Sequence, residues 1–369
     1  MIKVLFFIEK LTFGGAEKVL CNLVNHMDQT RFDITVHTVW PCEAKKFLVP
    51  GIRYRTMFSS ANKVNQLRYR AEAASGLAYL LHVKDDYDIE CAYLEMGSTK
   101  IMSASTNKKA KKLAWVHCDL QKIVSNPRAF AEKAAPWYRK FDQVICVSPG
   151  VKASFDELLG ECCPSQVLFN VIDDYEIRNK ANEALPGAFV HRKKTLVSVG
   201  RFSKPKNYLR LLRAHERLLS EGIDHDLWLV GDGEERPLLE RFVQEHQLQK
   251  SVFLPGFLDN PYPCIREADI AVCSSSYEGY STFLTESVIL GKPIVTTAVF
   301  GTKELLGESE YGLITENEDE AFTSGMKKML LEQGLRKYYA DQAVKRSKLF
   351  SAERLTARTE EFFTEMVAK

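Results

Sequence analysis

Ile2-Lys3-Val4-Leu5-Phe6-Phe7-Ile8 is a short apolar run rich in branched and aromatic residues. That is the pattern of a strand buried on both faces of a parallel sheet. The loop Leu11-Thr12-Phe13-Gly14-Gly15 follows it, and then Val19, Leu20, Leu23, Val24 and Met27 recur at helical spacing. Asp33-Ile34-Thr35-Val36-His37-Thr38-Val39 reads as the next strand. Strand, helix and strand in this order make a right-handed βαβ unit, the opening of a doubly wound sheet. Working outward, Ile89 to Leu94, Lys112 to Val116 and Gln143 to Val147 are further predicted strands.

Near residue 190 the pattern begins again. Thr195-Leu196-Val197-Ser198-Val199-Gly200 is a strand ending in glycine, and a helix bearing Leu209, Leu212 and Leu219 follows. Asp226 to Gly231, Val252 to Leu254, Ile270 to Cys273 and Pro293 to Thr296 continue the alternation. The fold class predicted is therefore α/β, with two doubly wound, Rossmann-like domains. Residues 1–172 form the first domain and 193–349 the second. The polar stretch 173–192, with Pro186-Gly187, is the expected linker. The last stretch, about 350–369, is helical and charged.

Composition narrows the function classes. A chain of 369 residues suits two domains. The net charge of +2 leaves no nucleic-acid footprint, so no nucleic-acid partner is expected. Nine cysteines without metal-ligand spacing read as reduced thiols of a cytoplasmic protein. The apolar run at the N-terminus is too short for a signal-peptide core, and no run approaches the roughly 18 apolar residues of a membrane span. One local bias stands out: no acidic residue lies between Glu43 and Glu72, where Lys45, Lys46, Arg53, Arg55, Lys63, Arg68 and Arg70 mix with Phe47, Tyr54, Phe58 and Tyr69. Such a stretch is either a solvated basic face or a peripheral contact with anionic membrane.

The chemistry concentrates after predicted strands, where ligands of doubly wound sheets bind. Ser276-Tyr277-Glu278-Gly279-Tyr280-Ser281-Thr282-Phe283-Leu284-Thr285-Glu286 follows the strand ending at Cys273. Ser281 and Thr282 suit an N-cap, and a helix N-terminus offers free N–H groups to phosphate. Glu286, one to two turns in, suits paired hydroxyls such as those of a ribose, and Glu278 another polyol. Spacing alone also fits a capped helix with two surface acids. A phosphate beside carboxylates needs cations, and Arg201 and Lys206 supply them in Gly200-Arg201-Phe202-Ser203-Lys204-Pro205-Lys206. Gly231 and Gly233, in Gly231-Asp232-Gly233, allow a close backbone approach to a flat ligand. Phe257 and Leu258, after Gly256, are placed to meet a base edge. In the first domain, Gly14-Gly15-Ala16-Glu17 is not a dinucleotide fingerprint, yet two glycines at a helix start suit an anion or a sugar. His117 ends the strand Leu113 to Val116 and points towards the ligand side. The Asp-x-Asp pairs at Asp86 and Asp224 precede strands and face the other end.

Taken in order, these motifs resemble the family 4 retaining glycosyltransferases, of the type found in bacterial polysaccharide biosynthesis. The Glu-x7-Glu motif Glu278 to Glu286 is the most specific element. The loops at Arg201–Lys206, Gly231–Gly233, Gly14–Glu17, Val116-His117 and Asn170–Asp173 fall where the family has counterparts. The resemblance implies a GT-B fold, its two domains facing each other across a cleft, with the final helix packed back on the first domain. It implies that Arg201 and Lys206 hold the donor diphosphate, aided by N–H groups near Ser281, Thr282 and Phe283. Glu286 would bind the ribose and Glu278 the transferred sugar, His117 would touch that sugar, and Gly15 would approach phosphate or acceptor. No metal and no resident cofactor are expected. Many relatives read Glu-Gly-Phe-Pro or Glu-Gly-Phe-Gly where this chain has Glu278-Gly279-Tyr280-Ser281, so the donor sugar is left open.

The expected reaction moves a hexosyl or N-acetylhexosaminyl unit from a nucleotide sugar, with UDP the family's commonest carrier, to a saccharide acceptor on a lipid. The partners are that donor, that acceptor and an anionic membrane at the inner face of the cell membrane; the oligomeric state is not specified. Two rivals accompany this reading: a nucleotide-sugar 2-epimerase on the same fold, and a non-catalytic nucleotide-sugar-binding subunit.

Overall fold

The computed structural model describes residues 1–10, 15–185, 187, 189 and 193–368. They form two compact units, one of Met1–Val171 with the stretch from Ala352, the other of Ile172–Ser351.

The first unit holds a seven-stranded sheet of β1 (Ile2–Ile8), β2 (Phe32–Thr38), β3 (Arg53–Thr56), β4 (Ile89–Ala92), β5 (Lys111–Val116), β6 (Gln143–Cys146) and β7 (Ser165–Val167), ordered β3-β2-β1-β4-β5-β6-β7. Every pairing is parallel; Val4 of β1 pairs with Ile34 on one side and Ile89 on the other. Val4 to Ile8 are wholly buried, as a central strand with helices on both faces must be. The chain winds outward from β1 to β3, then returns to lay β4 against β1 and winds the other way. The crevice beyond the carboxyl ends of β1 and β4 is therefore the sheet's topological switch point.

The helix Ala352–Ala368 packs on this unit. Its Phe363 is buried against Phe6, Trp115 and Phe32, with ring centroids 6.0, 6.2 and 6.4 Å away. Glu360 accepts from the Asp28 N–H at 2.6 Å and pairs with Arg31 at 3.2 Å.

The second unit holds a six-stranded parallel sheet of β8 (Thr195–Val199), β9 (Asp226–Val230), β10 (Val252–Gly256), β11 (Ile270–Cys273), β12 (Ile294–Thr297) and β13 (Leu313–Thr315), ordered β10-β9-β8-β11-β12-β13. Its switch point lies between β8 and β11. Leu196, Phe202, Leu211, Leu229, Phe322 and Met326 belong to its core.

Strands β3, β7 and β13 come in addition to those the sequence predicts; all are sheet edges of three or four residues, too short to show a period. Two expectations need correction. The stretch expected to be a linker begins with the helix Asp174–Ala181, capped by Asp173, with Ile177 and Ala181 buried one turn apart. Pro186, Ala188, Val190, His191 and Arg192, also assigned to that linker, lie outside the described residues. The basic stretch is partly spent internally: Arg53 pairs with Asp33 at 2.9 Å and Arg55 with Asp85 at 2.8 Å. Phe58 is buried and stacks on Trp40 at 5.2 Å, and the Tyr54 hydroxyl meets Thr38 Oγ1 at 2.8 Å. Among the described residues no helix is long and apolar enough to cross a membrane, and all nine cysteines are free thiols.

Two wholly buried histidines tie the second unit to pH. His225 Nδ1 donates to the Ile223 carbonyl at 2.8 Å, which leaves its Nε2 to accept from His215 Nδ1 at 2.8 Å; His215 Nε2 then takes the Ser251 hydroxyl at 2.9 Å. His225 must be neutral for this contact, because its Nδ1 already donates and its Nε2 has to accept. Burial, with His225 beside it, holds His215 well below the ordinary value of 6.5, and burial lowers His225 as well. The unfolded chain thus binds more protons as pH drops below about 6.5, so stability is full above that pH and declines beneath it. The urea midpoint should be lower at pH 5.5 than at pH 7.5, and the gap should narrow in His215→Gln. Equal midpoints for the wild type at both pH values contradict this.

Candidate active site

The second sheet's switch point collects the strongest chemistry. Strand β8 runs into the loop Gly200–Asn207 and β11 into Ser274–Ser281. Backbone and side chains stitch the loops together: the Ser276 N–H donates to the Pro205 carbonyl at 2.7 Å, and Ser274 Oγ to the Lys206 carbonyl at 2.9 Å. Held this way, Lys206 Nζ lies 2.5 Å from Glu278 Oε1, which also accepts from Ser275 Oγ at 2.8 Å. The two charged side chains are 25% and 12% exposed, so the pair is largely shielded from water. Burial by itself would discharge Lys206, but Glu278 outweighs it and the ammonium is held above its usual range. Lys206 is therefore cationic throughout the neutral range.

Arg201 is in a different setting. Its side chain is 75% exposed, and Nε and Nη2 each lie 3.2 Å from Glu234 Oε2. An exposed pair of this kind is worth about 0–1 kcal/mol, so the guanidinium can leave Glu234 for a stronger anion at small cost.

After the same loop comes the helix Thr282–Ile289, capped by Ser281, whose Oγ accepts from the Leu284 N–H at 3.5 Å. Phe283 turns into the core, so that position offers only its backbone to a ligand, while Thr282 is partly exposed. Glu286 is buried, one turn along, within 3.4 Å of the Tyr262 hydroxyl. The sequence motif thus resolves into two separately held carboxylates: Glu278 on Lys206, and Glu286 beside Tyr262.

Gly231 and Gly233 lie at the end of β9. Both are required by the neighbouring loop. A Cβ on Gly231 would stand 1.9 Å from the Gly200 carbonyl oxygen, at φ +146°, and one on Gly233 would stand 2.3 Å from the Phe202 carbonyl oxygen. Phe202 N–H donates to the Asp232 carbonyl at 2.9 Å, so the loops after β8 and β9 form one platform. Phe257 projects from the end of β10, half exposed, and Leu258 beside it is partly buried.

In the first unit, Gly15 opens the helix Gly15–His26, and Gly14 lies outside the described residues. His117 follows β5, its ring 4.9 Å from that of Tyr93. Burial lowers its pKa, with Glu95 opposing, and its Nε2 is buried with no hydrogen-bond partner among the described residues. Sequence reasoning missed the residues around it. Glu95, after β4, accepts from the His117 N–H at 3.1 Å and from the Cys118 thiol at 2.8 Å. Glu9, after β1, accepts from the Tyr69 hydroxyl. The available signal was position alone: Glu9 is the first residue past a central strand.

Residues 180–346 match the family described as glycosyl transferases group 1. The chain is 28% identical over 364 residues to the N-acetylgalactosamine-N,N'-diacetylbacillosaminyl-diphospho-undecaprenol 4-alpha-N-acetylgalactosaminyltransferase of Campylobacter jejuni subsp. jejuni serotype O:2, an alignment covering 95% of this chain and 96% of that protein. It is 24% identical over 339 residues to the lipopolysaccharide core biosynthesis glycosyltransferase LpsE of Rhizobium meliloti, covering 89% of each. Its fold is similar to that of Anabaena Alr3699/HepE in complex with UDP and glucose, with a TM-score of 0.77 at 17% identity over 99% of this chain and 100% of that one. Sucrose-phosphate synthase from Thermosynechococcus elongatus gives a TM-score of 0.80 at 16% identity over 100% of both. With two doubly wound parallel sheets and a shielded cation at the second one's switch point, the chain is a glycosyltransferase of the GT-B fold, and its residues 180–346 match the model of glycosyl transferases group 1.

Proposed function

We propose that this protein is a family 4 retaining glycosyltransferase. It moves a hexosyl or N-acetylhexosaminyl unit from a UDP-sugar to a lipid-linked saccharide during cell-surface polysaccharide synthesis, at the cytoplasmic side of the membrane. The observation that carries this is the Lys206–Glu278 pair beside the capped helix Thr282–Ile289. It places a permanent cation and free N–H groups at one sheet's switch point, which suits a departing diphosphate. The Campylobacter relative is named for a diphospho-undecaprenol substrate, and the Anabaena structure holds UDP, which supports both ends of the reaction.

In this account the bond between the anomeric carbon and the diphosphate breaks, and a bond to an acceptor hydroxyl forms on the same face. The hydroxyl proton passes to the leaving phosphate. Lys206, Arg201 and the N–H groups at Thr282 and Phe283 stabilise the charge on that phosphate and take the place a divalent metal would occupy. Glu278 holds the transferred sugar, Glu286 the ribose, and neutral His117 donates to or accepts from the sugar. Phe257 and Leu258 meet the base edge of the nucleotide.

The test is a panel of UDP-hexoses and UDP-N-acetylhexosamines with undecaprenyl-diphosphate-linked saccharides, in EDTA, with the product's anomeric configuration read by NMR. Transfer with retention supports the reading. Inversion, or epimerised donor formed without acceptor, overturns it. The transferase names of the relatives do not favour the epimerase, and simple binding without turnover would indicate the non-catalytic subunit.

Peripheral membrane contact is supported by the helix Lys63–Ser75, which has no buried residue and exposes Val64 and Leu67 beside Lys63 and Arg70. Replacing Lys45, Lys46, Lys63 and Arg70 with Gln should reduce flotation with anionic vesicles. Flotation equal to wild type removes this part.

A further inference from the structure

The first sheet has a switch point of its own, and nothing described so far occupies it. Glu9 stands at the carboxyl end of β1, and Glu95-Met96-Gly97 follows β4, the two strands that flank the crevice. We infer that Glu9 is the acceptor-sugar-binding carboxylate of this enzyme, taking hydrogen bonds from a saccharide's hydroxyls at that crevice. The inference rests on the glycosyl-transfer reading and names a residue for its acceptor half.

Three observations converge on Glu9. The first is the room made for it. Gly97 lies directly beneath the carboxylate, and a Cβ there would stand 2.1 Å from Glu9 Oε2. The second is the backbone that brings Gly97 there. Met96 adopts φ 68°, a left-handed conformation for a residue with a side chain, at a cost of about 1–3 kcal/mol. Strain of that kind persists where surroundings enforce it and clusters at ligand sites. The Glu9 N–H donates to Ser98 Oγ at 3.2 Å, which ties the strand end to the same turn.

The third observation is how the hydrogen-bonding capacity is divided. Glu95 is committed: one oxygen takes the His117 N–H and the other the Cys118 thiol. It positions the His117 loop with both of its oxygens engaged. Glu9 receives only the Tyr69 hydroxyl, on Oε1, among the described residues. A carboxylate offers about four acceptor sites, so Glu9 retains most of its capacity while one oxygen is already oriented. Tyr69 is itself fixed by Trp40, edge to face at 5.7 Å. An oriented carboxylate with free lone pairs beside aromatic rings matches a saccharide, whose adjacent hydroxyls donate in pairs and whose C–H faces are apolar. Half-buried, Glu9 is shielded enough for those bonds to outcompete water.

The experiment uses Glu9→Gln and Tyr69→Phe in the full-length enzyme. Glu9→Gln keeps the shape but exchanges one acceptor for a donor. Acceptor KM should rise about 10- to 100-fold in Glu9→Gln and less in Tyr69→Phe, with kcat within about threefold of wild type, since a hydroxyl-binding group acts on ground and transition states alike. Thermal midpoints close to wild type show that both variants fold. A second readout needs no turnover: saturation-transfer NMR with methyl glycosides of glucose, N-acetylglucosamine and N-acetylgalactosamine. Transfer to at least one of them in wild type, lost in Glu9→Gln, supports the inference. Unchanged KM, a fall in kcat alone, or identical glycoside signals in wild type and variant overturns it. Failure of the glycosyl-transfer reading would look different: wild type would turn over no UDP-sugar at all.

Discussion

Lys206→Ala lowers kcat by about 10²- to 10³-fold, the range found when one preorganised charge-stabilising donor is removed from a closed site. The size follows from the setting of this ammonium. It is mostly shielded from water, 2.5 Å from Glu278, on a loop stitched to the end of β11. The ammonium is already held at the strand end when charge develops on a departing phosphate, and little solvent competes for it. The variant also leaves Glu278 without its cation, so it loses stability as well as rate. Lys206→Ala combined with Glu278→Gln separates the two effects: stability recovers in part because the stranded charge is gone, while kcat stays low. Lys206→Arg does not restore the rate, because a planar fork cannot occupy a seat shaped for a point charge. Turnover of Lys206→Ala within tenfold of wild type contradicts the assignment.

Arg201→Ala is the second large effect, and its signature is the reverse in stability. We expect kcat to fall by about 10²-fold with the melting temperature unchanged within about 2 °C. At 75% exposure, with one surface partner in Glu234, Arg201 contributes almost nothing to folding. Glu234→Gln makes the complementary point. It releases the guanidinium at no cost in stability and leaves UDP binding equal or tighter. A substantial drop in melting temperature for Arg201→Ala, or turnover near that of wild type, contradicts the role given to Arg201.

Both effects depend on strand ends, and strand ends were the most legible feature of the sequence. Buried central strands such as Val4 to Ile8 and Asp226 to Val230 announce themselves because helices on both faces demand continuous apolar residues. Whatever follows such a strand is carried to the carboxyl edge of its sheet, and the sequence alone put Arg201, Lys206, Glu278 and His117 after strands, as the structure does. Edge strands escaped for the opposite reason: Arg53–Thr56 faces water on one side and carries two arginines. Glycine chemistry was legible only in part. That Gly231 and Gly233 allow a close approach follows from their having no side chain; that the approach is to the Gly200–Phe202 loop depends on which strands are neighbours, β8 beside β9. Glu9 and Glu95 were invisible for a related reason. One acid after a strand carries no pattern, and their meaning arises only when β1 and β4, some 80 residues apart, become neighbours at the switch point. Tyr69 was counted among aromatics of a basic stretch, yet its hydroxyl reaches Glu9.

The most direct measurement is the crystal structure of this enzyme with UDP bound. The account predicts a diphosphate within hydrogen-bonding distance of Lys206 Nζ and of the first N–H groups of the helix Thr282–Ile289, with Arg201 turned from Glu234 onto the phosphate and the ribose hydroxyls on Glu286. A nucleotide bound elsewhere, with Lys206 still closed on Glu278 and Arg201 still on Glu234, would contradict it.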